Sequence, residues 1–141
     1  MKAFLDTSVL VATFYADHEH HKPSIDLFRR FGAKQACCGL HSLAETYSVL
    51  TGMPGKHRVS GDEALLFLCN IREQLTIVAL DQADYWDVLS GSAGVGVSGG
   101  AIYDALLGRC ALKANAETVY TWNVADFKRL GHLIARRVKE P

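Results

Sequence analysis

Four acidic residues stand in surroundings that call for apolar ones. Asp6 ends the run "KAFL", Glu45 interrupts "SLAETYSVL", Asp104 interrupts "GGAIYDALL", and Asp126 follows "TVYTW" within "NVADF". Carboxylates are almost never fully buried unless they are paired or hold a cation. Gathered in one cleft, these acids would repel one another. The repulsion is relieved by keeping protons at raised pKa or by recruiting a divalent ion. Ligands that are all oxygen suit Mg²⁺ or Mn²⁺ rather than zinc. An ion held this way serves phosphoryl chemistry: it polarises the phosphate, lowers the pKa of a bound water and stabilises charge on the leaving oxygen. Each acid also has an ordinary explanation. Asp6 could cap a helix, Asp104 could sit at a helix's positive end, Glu45 could pair with an arginine, and Asp126 could cap a short turn. One shared site explains all four together.

A second cluster competes for a metal. "DHEHHK" (17–22) holds His18, Glu19, His20 and His21. Zinc takes tetrahedral nitrogen or sulfur ligands, usually from spaced pairs such as HExxH, which is absent here. His18 and His21 could share a helical face, but no third ligand is evident. The stretch is expected to begin a helix and cover the edge of the core. "GVGVSG" (94–99) formally fits GxGxxG. That fingerprint needs a strand before it and an acid ending a second strand about 20 residues later. Here a predicted helix precedes it, and Glu117 comes before its strand. A mobile loop that sets Asp104 at the mouth of the site, with backbone N–H groups free for phosphate, is the better reading.

The elements that must position the acids follow from the hydrophobic pattern. Short apolar runs at 2–5, 36–40, 75–80 and 118–122 read as buried strands, with a last strand expected within "HLIARRV" (132–138). Helical spacing is expected over 9–15, 22–31, 41–52, 60–71, 81–93 and 101–114, with glycines marking several ends. Strands that alternate with helices give an α/β class: a mainly parallel central sheet flanked by helices on both faces. The 141 residues suffice for one such domain, 1–141. In these sheets ligands sit outside the carboxyl ends of the strands. Asp6 lies at the first such end, and Thr121, Asn123 and Asp126 lie just past another.

These residues resemble the PIN-domain family, most closely its VapC-type toxin branch. The family's marks are a first strand ending in D-[ST]-[SN], a glutamate in an apolar helix, an aspartate in "iyDall" and a T-x-N-x-x-D-F element. Here they read "FLDTSVL", "SLAETYSVL", "GGAIYDALL" and "TWNVADF", in that order across nearly the whole chain. The resemblance implies a Mg²⁺- or Mn²⁺-dependent endoribonuclease. Asp6, Glu45, Asp104 and Asp126 would form its acidic cluster, supported through hydrogen bonds by Thr7 or Ser8, Thr121 and Asn123. It also implies a cognate VapB-like antitoxin that places an arginine among the acids, and a homodimer. Trp122 is bulkier than the pattern expects beside Asn123. Two alternatives stay open at this point: a PIN-type RNA-processing nuclease without an antitoxin, and a non-catalytic α/β binding or signalling module. Asp81, after "LTIVAL", would be the acceptor of a signalling domain, though Thr7 stands where that class wants a second acid.

A formal net charge of zero argues at first against a polyanionic partner, but the sum hides the distribution. Fifteen basic residues balance fifteen acidic ones; with the four site acids set aside, fifteen against eleven leaves an excess of +4. Lys128, Arg129, Arg136, Arg137 and Lys139 gather near the C-terminus, and Lys56 and Arg58 share a loop, positions from which an RNA backbone could be held. No apolar run approaches the roughly 20 residues that span a bilayer. The N-terminal stretch reads as part of the fold, so the cytoplasm is expected. Cys37, Cys38, Cys69 and Cys110 show no CxxC pair and are expected to be buried free thiols.

Overall fold

The computed structural model describes residues 1–141. Five strands, β1 (Ala3–Leu5), β2 (Ala36–Gly39), β3 (Thr76–Val78), β4 (Thr118–Tyr120) and β5 (Val138–Lys139), form one sheet in the order β3-β2-β1-β4-β5. Every neighbouring pair is parallel; Ala3 stands opposite both Ala36 and Thr118. The helices are α1 (Thr7–Phe14), α2 (His21–Arg30), α3 (Leu40–Gly52), α4 (Gly61–Gln74), α5 (Gln82–Gly94), α6 (Ala101–Lys113), α7 (Val124–Lys128) and α8 (His132–Ala135).

The central strands lack polar alternation because both of their faces are covered. Ala3, Leu5 and Cys38 point into one core with Leu10, Leu27, Leu50 and Ile71, under α1, α2, α3 and α4. Phe4, Cys37 and Val119 point into the other, with Leu107, Phe127 and Ile134 under α6, α7 and α8. Gly39 at the end of β2 permits the close crossing of α6: a Cβ there would stand 2.7 Å from Leu107 Cδ2 and 3.3 Å from Cys110 Sγ. Burial pushes the Cys37 thiol up to about 12 and that of Cys110 up to about 11, so both pack as small hydrophobes. Cys69 departs from the expectation, being free but exposed.

Two strand expectations need correction. "HLIARRV" is not one strand: 132–135 is helical, Ile134 packs against Gly108 of α6, and only Val138–Lys139 pairs with β4. A four-residue apolar run carries no period that separates a helical turn from a strand. "LTIVAL" is a strand only over Thr76–Val78 and lies at the sheet's edge, where Thr76 is exposed and Ile77 and Val78 are half-buried.

The topology creates the crevice. From β1 the chain moves outward through β2 to β3, then returns across the sheet to β4 on the other side of β1. The carboxyl ends of β1 and β4 therefore flank a switch point, the usual binding position in open parallel sheets.

Candidate active site

Asp6 follows β1 directly and is the N-cap of α1, so the ordinary explanation for this acid holds. It is incomplete, because Asp6 is only 2% exposed and is tied to the opposite side of the switch point. Ser8 Oγ and Thr121 Oγ1 each donate to its Oδ2 at 2.8 Å, and the Ser8 N–H lies 3.4 Å from the same oxygen. Ser8 Oγ in turn accepts from the Trp122 N–H (3.0 Å), and Thr121 Oγ1 accepts from the Asn123 N–H (2.9 Å). The loop after β4 is thus stitched to the first turn of α1, and Oδ1 is left without a side-chain partner. Burial raises the Asp6 pKa more than these donors lower it.

Glu45 projects from the middle of α3 and accepts from Thr7 Oγ1 at 3.3 Å. Its pKa is raised, first by burial and then by the charge of Asp6. The arginine that could have explained it is missing. The base beside it is His41, 3.8 Å away, and burial lowers that imidazole's pKa, so it is neutral at pH 7. Asp104, in the first turn of α6, is pushed up from its ordinary 3.8 to about 6 by burial, then by Asp6, Glu45 and Asp126.

Asp6, Glu45 and Asp104 line one cleft of about 480 Å³ with Thr7, Ser8, Trp122 and Asn123. Asp126 lies outside it. In the first turn of α7 its exposed side chain stands 3.7 Å from Arg129, lining an adjoining hollow with Asp104 and the glycine-rich loop. That loop joins helix α5 to helix α6, with Gly96 and Gly99 at positive φ. Asn123 contributes a backbone N–H to the network, and its exposed side chain faces the cleft.

Asp84 shows how this protein treats an acid buried for structural reasons. It is 9% exposed, and Arg109 (3.1 Å) and Lys113 (2.7 Å) bind it from α6. The Lys113 ammonium, helped by the Asp81 N–H and Arg109, holds its carboxyl well below the usual range. Asp81 is used as well, capping α5 in a reciprocal box with Asp84 rather than standing ready as an acceptor. Asp6, Glu45 and Asp104 have no lysine or arginine within ion-pair distance, and their pKa values move the opposite way. The protein leaves their charge for something else to balance.

The donor set fits a hard cation. All three groups are carboxylates, and Asp6 presents an oxygen free of side-chain partners. No three acidic, histidine or cysteine side chains converge tightly enough to ligate one ion directly. Mg²⁺ tolerates this, since it keeps several waters and typically takes one or two carboxylates.

One consequence is measurable without any ligand. A carboxyl raised from 3.8 to about 6 binds more protons folded than unfolded, so stability falls as pH rises through that window. The full displacement is worth about 3 kcal/mol; solvent screening at this half-buried group reduces it to roughly 1 kcal/mol. Urea denaturation in EDTA should show a loss of that order between pH 4 and pH 6.5. Asp104→Asn should remove its share of the slope and leave that of Asp6 and Glu45, and an unchanged slope would mean that the Asp104 carboxyl is not raised.

The sequence gave the histidines of "DHEHHK" only the role of beginning a helix and covering the core's edge. They hold no metal cluster, yet His18, Glu19 and His20 line the same cleft as Asp6. His21 begins α2, as expected, and its Nδ1–H donates to the Ala12 carbonyl at 2.9 Å. His18 lies before the helix, so the two do not share a helical face. Of the basic residues, Arg137 donates to the Ala116 carbonyl (2.6 Å) and Arg58 to the Met53 carbonyl (3.0 Å), while Lys56, Lys128, Arg136 and Lys139 are exposed.

The family model of the PIN domain matches residues 3–133. The chain belongs to the PIN-domain family. Two relatives from Mycobacterium tuberculosis put this PIN domain in the VapC branch. Ribonuclease VapC40 is 38% identical over 116 residues, 79% of this chain and 80% of that protein. Ribonuclease VapC27 is 34% identical over 114 residues, 80% of this chain and 79% of that one. Among solved structures, the fold matches M. tuberculosis VapC20, a toxin that cleaves the sarcin–ricin loop, with a TM-score of 0.70 at 16% identity over 89% of this chain and 92% of that one. It also matches VapBC2 of Rickettsia felis, solved with a DNA fragment of its promoter, with a TM-score of 0.67 at 19% identity over 99% and 98% of the two chains. The expected single α/β PIN fold is therefore borne out. No helix is long and apolar enough to cross a membrane.

Proposed function

We propose that this PIN domain is a divalent-cation-dependent endoribonuclease, the toxin of a toxin–antitoxin pair acting on RNA in the cytoplasm. One observation carries the reading: three mutually repelling carboxylates meet at the switch point with no protein cation among them. The chain is also 38% identical to a protein named a ribonuclease.

A bound cation, Mg²⁺ with Mn²⁺ as its substitute, supplies Lewis-acid polarisation of the phosphate and a lowered pKa for the attacking water. The chain's own groups prepare for it. Ser8 and Thr121 hold Oδ2 of Asp6 and leave its Oδ1 without a side-chain partner. Thr7 orients Glu45. Asp104 gives up the proton it holds at weakly acid pH when a cation shares the cleft, and Asp126 adds negative charge from the adjoining hollow. Exposed Lys128 lies in α7 with Asp126, where it can hold the RNA backbone. A cognate antitoxin would silence the site with an arginine, whose planar fork pairs bidentately with carboxylates and replaces the cation's charge. Exposed Tyr85, Trp86 and Leu89 on α5 support a homodimer as the working form.

The test is the chemistry of the product ends. Purified protein with Mg²⁺ should leave 5′-phosphate and 3′-hydroxyl termini on a structured RNA. Cyclic 2′,3′-phosphate ends would mean attack by the ribose and would overturn the hydrolytic mechanism. No cleavage with either ion would overturn the function.

A further inference from the structure

We propose that His20 stacked on Trp122 forms a platform for a nucleobase of the RNA, one beside the phosphate that is cut. The proposal rests on the ribonuclease reading and adds how the substrate is held. The two rings lie 3.8 Å apart at centroid and 8° from parallel. Both line the cleft that holds Asp6, Glu45 and Asp104.

The stack is fixed from both sides. Trp122 stands between Thr121 and Asn123, the residues that tie the loop to Asp6. Its backbone N–H is held by Ser8 Oγ at 3.0 Å, and its indole Nε1–H donates to the fully buried Ser24 Oγ at 2.9 Å. The indole therefore has its polar partner already and needs no further one. His20 is held through its main chain: its N–H donates to His18 Nδ1 at 3.0 Å, which places the proton of neutral His18 on Nε2. The next residue, His21, anchors to the Ala12 carbonyl at 2.9 Å. A ring held this way loses little further freedom when a ligand settles on it.

The imidazole has the indole against one face, and its side chain remains 37% exposed in the cleft. The His18 ring is tilted 43° to it at 5.7 Å between centroids, and the exposed part of the imidazole is where a flat ring would continue the stack. Unpaired bases of RNA are recognised by stacking on aromatic side chains, histidine included, because every base has a π-face. The acids fix the phosphate and its cation, so a platform lining the same cleft receives a base close to that phosphate. If the pair served only to close the core's edge, an aliphatic side chain at position 20 would do as well, and no RNA measurement would depend on the ring.

The experiment pairs protein variants with abasic substrates. The cleavage site in an RNA hairpin is mapped with the wild-type protein, and each flanking nucleotide is then replaced in turn by an abasic one. His20→Ala is expected to raise KM about tenfold, with kcat within about threefold, and His20→Phe to restore KM to within about twofold. One abasic position should cost the wild type about tenfold in KM and cost His20→Ala nothing more. Losses that multiply at every position, or a His20→Leu variant as good as His20→Phe, would overturn the platform. A readout that precedes turnover uses rapid mixing of Trp86→Phe, which keeps the acids intact and Trp122 as the remaining tryptophan. Single-stranded RNA with Mg²⁺ should change its emission saturably, and no change at saturating RNA would overturn the stack's role. If the wild type cleaves no RNA, the ribonuclease reading falls and takes the platform with it. Normal cleavage with His20→Ala indistinguishable from wild type removes the platform alone.

Discussion

Asp6→Asn is expected to lower RNA cleavage by about a thousandfold or more and to raise the melting temperature of the cation-free protein. Both effects come from one negative charge. Asn keeps the shape of Asp and an oxygen to accept from Ser8 and Thr121, so the network across the switch point survives. It lacks the charge that balances a cation at the phosphate, an effect of several kcal/mol, and about 4 kcal/mol is already a factor of 10³. Stability moves the other way. Burial raises the Asp6 pKa above its ordinary value, so at neutral pH the ionised form costs the folded state free energy that the neutral amide does not. Asp6→Ala is the informative contrast. It also removes the charge but leaves two hydroxyls without their acceptor, at a cost of about 1–3 kcal/mol. Cleavage of labelled RNA and thermal melts in EDTA read both effects. A rate within tenfold of wild type, or a melting temperature below it, would refute the assignment of Asp6.

Legibility in the sequence followed how local each feature's cause is. "FLDTS" discloses a buried strand, a helix cap and a site acid at once, because a carboxylate straight after a run buried on both faces has few other reasons to be there. "GGAIYDALL" works the same way: glycines place Asp104 in a helix's first turn while Leu106 and Leu107 commit the next turn to the core. The pattern faltered where partners distant in sequence decide the outcome. His20 meets Trp122 only because the loop after β4 folds back on α1, and nothing within "DHEHHK" encodes that. Asp126 looks equivalent to the other acids in sequence, yet α7 turns it into the adjoining hollow beside Arg129.

Removing divalent ions should reduce cleavage to background, and restoring them should both revive it and raise the melting point. The two readouts share a cause and separate catalysis from folding. A cation that binds only the folded state adds RT ln(1 + [L]/Kd), about 1.4 kcal/mol at tenfold excess over Kd. For a domain of this size that is roughly 5 °C. The rise should be smaller at pH 5 than at pH 7.5, because Asp104 titrates at about 6 and a cation must displace its proton below that point. Asp104→Asn should lose most of the thermal response along with activity. Asp84→Asn is the control: it removes a buried acid whose charge Lys113 and Arg109 already balance, so it should weaken the fold and leave the cation's increment intact. A response to Mg²⁺ and Mn²⁺ that survives Asp104→Asn would locate the ion elsewhere. No response in the wild type at millimolar ion would mean that the unpaired acids at the switch point are balanced by protons alone.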